Sequence, residues 1–295
     1  MKRKSVDLLI QGPLNEKITR HVELNAGFFE RIIVSTWQPV NEIESMILEK
    51  LFVLQARFSN LVLTINEQPT YAEEDLPRKF FLQINSIANG LKQVSAEHII
   101  KSRTDEVFNL EKFIDFIQES KYEFQFSNFI VRDWRYHSFH MSDHLFASPT
   151  KNLTNAIAWL TSGKKETLVK LLGNDWDCPE SLLGYALLAS LTEQPTKRLT
   201  PWKGFLRFSS HFDLFDIGDL SFFEVQAKSA NSGYLSDLTT ISLEAANIIN
   251  WNHFTRIWQL RPSFMQSYFR RKIQPEIRQW RLHRRSAQEI FQAGG

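Results

Sequence analysis

Asp7-Leu8-Leu9-Ile10-Gln11-Gly12-Pro13 is the stretch from which the fold is read. A short apolar run closed by Gly and Pro predicts a buried strand, residues 6–10, ending in a sharp turn. The same pattern returns downstream. Residues 31–37 carry Ile32, Ile33 and Val34 and close on Ser35-Thr36-Trp37. Residues 61–65 form a third apolar run, closed by Asn66-Glu67, and residues 98–101 a fourth, closed by Ser102-Arg103-Thr104-Asp105-Glu106. Residues 122–131 supply a fifth.

Helical periodicity fills the gaps, over residues 16–29, 41–58, 77–94 and 109–120. In the second of these, Ile43, Met46, Ile47, Leu51, Leu54 and Phe58 are predicted to share one face. Asn41 with Glu44 has the form of a capping box. Pro77 suits a first helical turn, and Asn109 is placed to cap the fourth helix. Strands alternating with helices predict an α/β fold: a mostly parallel sheet covered by helices on both faces. Such sheets bind ligands at the carboxyl ends of their strands, where strand order reverses. The four polar closures fall on that rim. Ordinary turn chemistry explains any one of them; the four together point to a binding edge.

Past residue 131 the pattern loosens. Residues 139–147 read as a strand or an active-site loop. Helices are predicted over 151–162, 165–172 and 180–192, and residues 199–230 resist assignment.

Composition narrows the function classes. The 295 residues suffice for a sizeable core, with 43% hydrophobic and 23% charged residues. Aromatics reach 13%, which serves core packing as readily as sugar or base stacking. Cys178 is the single cysteine, so no intrachain disulfide forms, in keeping with a reducing cytosol. The basic start, Met1 to Ser5, precedes too short an apolar run for a signal segment. No run approaches the roughly 20 apolar residues of a membrane span. A cytoplasmic protein, or one lying at the inner face of a membrane, is expected. Charge is uneven: residues 261–285 hold eight Arg or Lys against Glu276, a local +7 in a chain of net +2. Phe264, Tyr268, Phe269, Ile273, Ile277 and Trp280 interleave with these cations. A body of residues 1–260 and a basic amphipathic tail, 261–295, are therefore expected. The tail either meets an anionic membrane or packs its aromatic face on the body.

Neither G-x-G-x-x-G nor G-x-x-x-x-G-K-[ST] is present, which argues against a dinucleotide fingerprint or a P-loop. Zinc-protease spacing and the G-x-S-x-G elbow are missing as well. What remains is Asp105-Glu106 after a buried strand, flanked by Lys101 and Arg103. A carboxylate there suits a hard divalent cation, Mn2+ or Mg2+, bound with a diphosphate. Arg103 suits the phosphates themselves. The alternatives for Asp105 are capping the following helix or pairing with Arg103.

These motifs, Gln11-Gly12-Pro13, Ser35-Thr36-Trp37 and Lys101-Ser102-Arg103-Thr104-Asp105, resemble the WavE lipopolysaccharide-synthesis family of bacterial glycosyltransferases. So do His140-Met141-Ser142-Asp143-His144 and Pro179-Glu180, and the likeness spans residues 6–190. The resemblance implies a GT-A-like fold, a nucleotide-sugar donor, and a lipopolysaccharide or capsular glycan acceptor. It places Gln11 and Gly12 in the donor pocket, with Thr36, Trp37 and Asn66 along the same rim. Asp105 takes the place of the last acid of a D-x-D motif, as the metal ligand. Arg103 stands where the first acid belongs. Arg78 is the residue carried over at the start of the third helix, where a helix N-terminus also suits a diphosphate.

A transfer that inverts the sugar needs a base, and a carboxylate is the usual one. Asp143 is the first candidate and Glu180 the second, although Pro179-Glu180 is also ordinary helix-start chemistry. His137, His140 and His144 lie close enough to share a metal or phosphate, or to line a wet strand face. Two other function classes stay open: a nucleotidyl or sugar-phosphate transferase, and a non-enzymatic polyanion-binding protein. The tail carries no nucleic-acid motif, so nucleic acid is not an expected partner.

Overall fold

The computed structural model describes residues 4–67, 78–127, 131–132, 141–162, 179–191, 211–215, 217–224 and 240–241. The described residues all belong to one compact unit, Met1–Ser242. The basic tail and the 165–172 helix expected from the sequence lie outside the described residues, as do His137 and His140.

The chain opens with β1 (Val6–Gln11), α1 (Lys17–Asn25), β2 (Ile32–Trp37), α2 (Glu42–Arg57) and β3 (Leu61–Asn66). It continues through α3 (Arg78–Leu91), β4 (His98–Arg103), β5 (Val107–Phe108), α4 (Glu111–Glu119), β6 (Phe124–Ser127) and β7 (Val131–Arg132). Then come β8 (Leu145–Pro149), α5 (Thr150–Thr161), α6 (Pro179–Leu191), β9 (Phe212–Phe215), β10 (Phe223–Glu224) and β11 (Thr240–Ile241). Seven strands form the main sheet in the order β3-β2-β1-β4-β8-β6-β9. β3, β2, β1 and β4 run parallel, and β8 is antiparallel to β4 and to β6. The sheet is mostly parallel, as expected.

Alternation along each strand sorts the core into two layers. Leu8, Ile10, Ile32, Val34 and Ile100 pack with α1, α2 and α4, while Leu9, Ile33 and Ile99 pack with α3, α5 and α6. Helices thus cover both faces. Gly90 lets α3 lie close on the sheet, since a Cβ there would come within 2.4 Å of Leu9 Cδ1. Asp7, buried at the start of β1, accepts from the amides of Ser95 and Ala96 at 2.8 and 3.0 Å. That bond ties the α3–β4 connection to the sheet.

Several expectations need correction. β4 runs on through Ser102 and Arg103, because these residues pair in register with Ile10 and Gln11. The polar motif therefore begins inside the strand. β6 begins at Phe124 rather than at residue 122. Of the stretch 139–147, expected as a strand or an active-site loop, residues 141–144 are irregular and β8 begins at Leu145. The unassigned stretch 199–230 supplies β9 at the sheet edge. In α2, Ile43 and Met46 are exposed, and the buried face is Ile47, Leu48, Leu51 and Leu54. Apolar residues occur on several sides of this helix, so spacing alone does not fix the edges of the face that meets the sheet. Asn41 caps α2 by accepting from Glu44 N–H at 2.9 Å, and Glu44 returns a bond to Val40 N–H rather than to Asn41. The cap of α4 is Leu110; Asn109 Oδ1 accepts from Glu111 N–H at 3.2 Å.

Candidate active site

The strand order reverses between β1 and β4. After β1 the chain builds outward to β2 and β3, then crosses back to place β4 on the other side of β1. The turns leaving β1 and β4 are therefore neighbours at the carboxyl edge. Gln11 pairs in register with Arg103, and Thr104 N–H donates to the Gln11 carbonyl at 3.2 Å. Gly12 has φ 143°, a conformation open to glycine. A Cβ on Gly12 would lie 2.4 Å from Thr104 Oγ1, so the two turns meet because this residue has no side chain. Gly12 N–H donates to the Ser35 carbonyl at 3.2 Å, which brings the end of β2 into the same rim.

On the α3 side of this junction sits a cluster of charges. Arg103 grips Asp105 with two parallel bonds, Nε to Oδ1 at 2.9 Å and Nη2 to Oδ2 at 2.8 Å. This is the bidentate fork that guanidinium and carboxylate favour. Burial works against the ionised Asp105, but the Arg103 bonds and charge outweigh it and hold the carboxyl below its ordinary range. Burial likewise opposes the Arg103 charge, and Asp105 and Asp143 more than restore it. Arg103 Nη1 lies 3.5 Å from Asp143 Oδ2.

Asp143 is buried and held from several directions. Gln83 of α3 donates to its Oδ2 at 3.0 Å. Lys101, with no exposed surface, donates from Nζ to the Asp143 carbonyl and lies 3.8 Å from its carboxylate. Burial holds the Lys101 pKa below its ordinary value, and Asp143 opposes that shift only in part. His144 places Nδ1 2.5 Å from Glu106 Oε1 and Nε2 3.6 Å from Asp143 Oδ1. Burial disfavours a charged ring there, yet Glu106 and Asp143 outweigh it and raise the His144 pKa. His144 thus bridges carboxylates from two loops and links β4's turn to the entry of β8.

Beneath the same loop, on the α1 side, His21 is fully buried and edge-on to Phe108, with ring centroids 6.0 Å apart. Its ring faces the backbone of Arg103 and Glu106 with neither nitrogen in an aligned hydrogen bond. Burial pushes its pKa down to about 4, so the ring is neutral at pH 7.

The structure brings Gln11, Gly12, Arg103, Asp105 and Asp143 together. Thr36, Trp37 and Asn66 stand farther along the rim, on β2 and β3. The Asn66 amide donates to Ser35 Oγ at 3.0 Å and to the Thr36 carbonyl at 2.7 Å, and its Oδ1 accepts from Asn89 at 2.8 Å. Those bonds make Asn66 a brace between β2, β3 and α3. Trp37 is largely buried. Arg78 begins α3. Glu180 is half-buried in the first turn of α6. Several buried polar atoms along the carboxyl edge of β1, β2 and β4 have no partner among the described residues: Gln11 Oε1, Thr36 Oγ1, Ser102 Oγ, Thr104 Oγ1 and Glu106 Oε2. Buried polar atoms normally find partners, and these orphans lie on both faces of the sheet. Ser102, in register with Ile10, and Thr36, next to a Ser35 bonded to α3, face the α1 and α2 layer, opposite Gln11.

Sequence reasoning missed Gln83, His21 and the structural part of Lys101. Gln83 carried a signal, because it falls among Phe80, Ile84 and Ile87 on the apolar face of α3, where an amide needs a partner. His21 offered none.

Oxygen donors of this kind suit a hard cation. Among the described residues, no group of three or more His, Cys, Asp or Glu side chains is arranged to hold a metal. A Mg2+-like ion needs only one or two carboxylates when phosphates complete its shell. Asp105 fits that requirement once it is released from Arg103. Among the described residues no helix is long and apolar enough to cross a membrane.

No protein-family model and no curated protein matches the chain, so the WavE resemblance rests on the quoted motifs alone. Among solved structures, the chain is similar to HddC from Yersinia pseudotuberculosis complexed with GMP-PN. That match has 15% identity and a TM-score of 0.35, over 52% of this chain and 79% of the other. It is similar to S. aureus TarS 1-349 at 10% identity and TM-score 0.40, over 70% and 71% of the two chains. A third is glucosyl-3-phosphoglycerate synthase from Mycobacterium tuberculosis, in complex with Mn2+, uridine-diphosphate and glucosyl-3-phosphoglycerate. It matches at 10% identity and TM-score 0.38, over 72% and 70%. Likenesses this distant leave the chemistry to be argued from this chain's own residues.

Proposed function

We propose that the chain is a glycosyltransferase of the WavE kind, with a GT-A-like domain. It would move a sugar from a nucleotide-sugar donor to a lipopolysaccharide or capsular glycan acceptor. The observation that carries this reading is the junction of β1 and β4. Gly12 and Thr104 touch there, Gln11 stands in register with Arg103, and Arg103 forks onto Asp105. That combination suits a diphosphate, which needs a bidentate cation, backbone at close range and a carboxylate for a metal.

In this reading Gln11, Gly12, Thr36, Trp37 and Asn66 shape the donor side. Arg78 offers the N-terminus of α3, and Arg103 takes the diphosphate. A divalent cation, Mn2+ or Mg2+, held at Asp105 would supply Lewis-acid stabilisation to the leaving oxygen. The acceptor hydroxyl attacks the sugar's anomeric carbon, the bond to the diphosphate breaks, and a carboxylate accepts the hydroxyl proton. Asp143 and Glu180 are the two candidates for that carboxylate. Asp143 is already bonded to Gln83 and placed between Lys101 and Arg103, which lowers its use as a base and favours Glu180. The basic tail would keep the enzyme at the inner face of an anionic membrane, beside a lipid-linked acceptor.

A thermal-shift screen against nucleoside diphosphates, with and without Mn2+, tests the reading. One of them is expected to raise the melting temperature by several degrees; silence across the panel removes the donor site. A nucleotidyl or sugar-phosphate transferase would share the cradle, and the released product separates the two. Nucleoside diphosphate supports glycosyl transfer, and pyrophosphate the alternative.

A further inference from the structure

We infer that Arg103 is a placeholder: it occupies the metal-binding oxygens of Asp105 until a donor diphosphate draws it away, so that cation and nucleotide bind only together. The inference rests on the donor-site reading above and adds to it an order of events.

The geometry supplies the reasons. Both Asp105 oxygens are taken by one guanidinium, at 2.9 and 2.8 Å. A cation approaching the free protein would have to displace a partly exposed bidentate pair. Arg103 is not confined to that partner, since its Nη1 already lies 3.5 Å from Asp143 Oδ2. Its side chain is the more open member of the pair, 34% exposed against 13% for Asp105. It can therefore pivot outward while Asp105 stays in place. A diphosphate is the stronger attraction, because it carries more negative charge and also accepts the guanidinium fork. The contacts agree. Arg103 forks onto Asp105 and reaches Asp143, and Glu106 is paired with His144. In the resting cluster neither Asp105 oxygen is open to a cation. Once Arg103 turns to a diphosphate, Asp105 and the phosphate oxygens together offer a cation its ligands.

The test is Mn2+ binding to the full chain, followed by the electron paramagnetic resonance signal of the free ion, so no turnover is needed. Each of UDP, GDP, CDP and ADP is added in turn. The wild-type protein alone is expected to leave Mn2+ free, and the matching nucleotide is expected to tighten Mn2+ binding about tenfold or more, with the reciprocal effect on the nucleotide. Arg103→Ala should bind Mn2+ about tenfold more tightly than wild type without nucleotide, and should lose most of the synergy. Arg103→Lys keeps the charge without the fork and should fall between the two, which preserves the test if the alanine variant does not fold. Asp105→Asn should bind Mn2+ in neither condition. Equal Mn2+ affinity in wild type with and without a nucleotide that binds would overturn the inference. So would nucleotide-free Mn2+ affinity unchanged in both Arg103 variants. If no nucleotide binds at all, the donor reading fails instead, and the nucleotide-free arm still decides whether Arg103 shields Asp105.

Discussion

Two histidines flank the loop from Arg103 to Glu106, and the protein treats them in opposite ways. His144, on the β8 side, lies between two carboxylates and is driven toward its charged form. His21, on the α1 side, packs edge-on to Phe108 without an aligned hydrogen bond and is driven neutral. Both are buried, so burial alone does not set their state. Pairing does: a charge survives inside where opposite charges meet it, and is lost where they do not. One side of the loop is built for ions and the other is built to be a dry support.

The largest test of that contrast is Asp143→Ala. It leaves Lys101 in the interior without its carboxylate, and removing one partner of a buried pair costs about 3–5 kcal/mol. Denaturant unfolding at pH 7 measures it. A stranded lysine can shed its proton, so the loss should shrink as pH rises toward 10; an unchanged midpoint would mean that Lys101 does not depend on Asp143.

Acid stability sharpens the comparison. The folded pKa of His21, about 4, lies below the ordinary value of 6.5. The unfolded chain therefore binds more protons between those values. The His21 contribution is complete above pH 6.5 and is lost as pH falls to 4, by about 3 kcal/mol in all. His144 has the opposite sign: its raised pKa gives stability that is present below the ordinary value and lost as pH climbs through the folded value. Unfolding curves from pH 4 to pH 9 should therefore flatten on the acid side in His21→Gln and on the alkaline side in His144→Gln. Matching profiles for the two variants would erase the distinction.

Gly12→Ala comes next. The positive φ and the overlap with Thr104 Oγ1 should cost about 1–3 kcal/mol and weaken nucleoside diphosphate binding by forcing the two turns apart. The smallest stability effect belongs to Asp105→Ala. A partly exposed ion pair contributes only about 0–1 kcal/mol, so the melting temperature should barely move while sugar transfer is abolished. Full transfer in that variant would remove Asp105 from the mechanism.

Much of this was legible in the residues. The apolar runs at β1, β2 and β3 and the Asn41 cap could be read because each depends on a local pattern. So could the polar rim from Gln11 to Asp105, since turn residues after buried strands sit where the switch-point rule places a ligand. The α2 face could be read only in part: spacing selected Ile47, Leu51 and Leu54, but the sheet beside this helix left Ile43 and Met46 exposed and buried Leu48 instead. β9 was hidden in a mixed stretch whose burial depends on β6.

From the order of its residues alone, the chain determined an α/β sheet and a carboxylate with an arginine two positions before it at the end of a strand. Only the tertiary structure decided what those groups do to one another. It turned the Arg103 guanidinium onto Asp105, buried Lys101 against Asp143, and set His144 between ions and His21 against an aromatic ring. The cause is physical. Secondary structure follows from neighbours in the chain, whereas the state of a buried charge follows from neighbours in space, and here those arrive from α1, α3, β4 and β8.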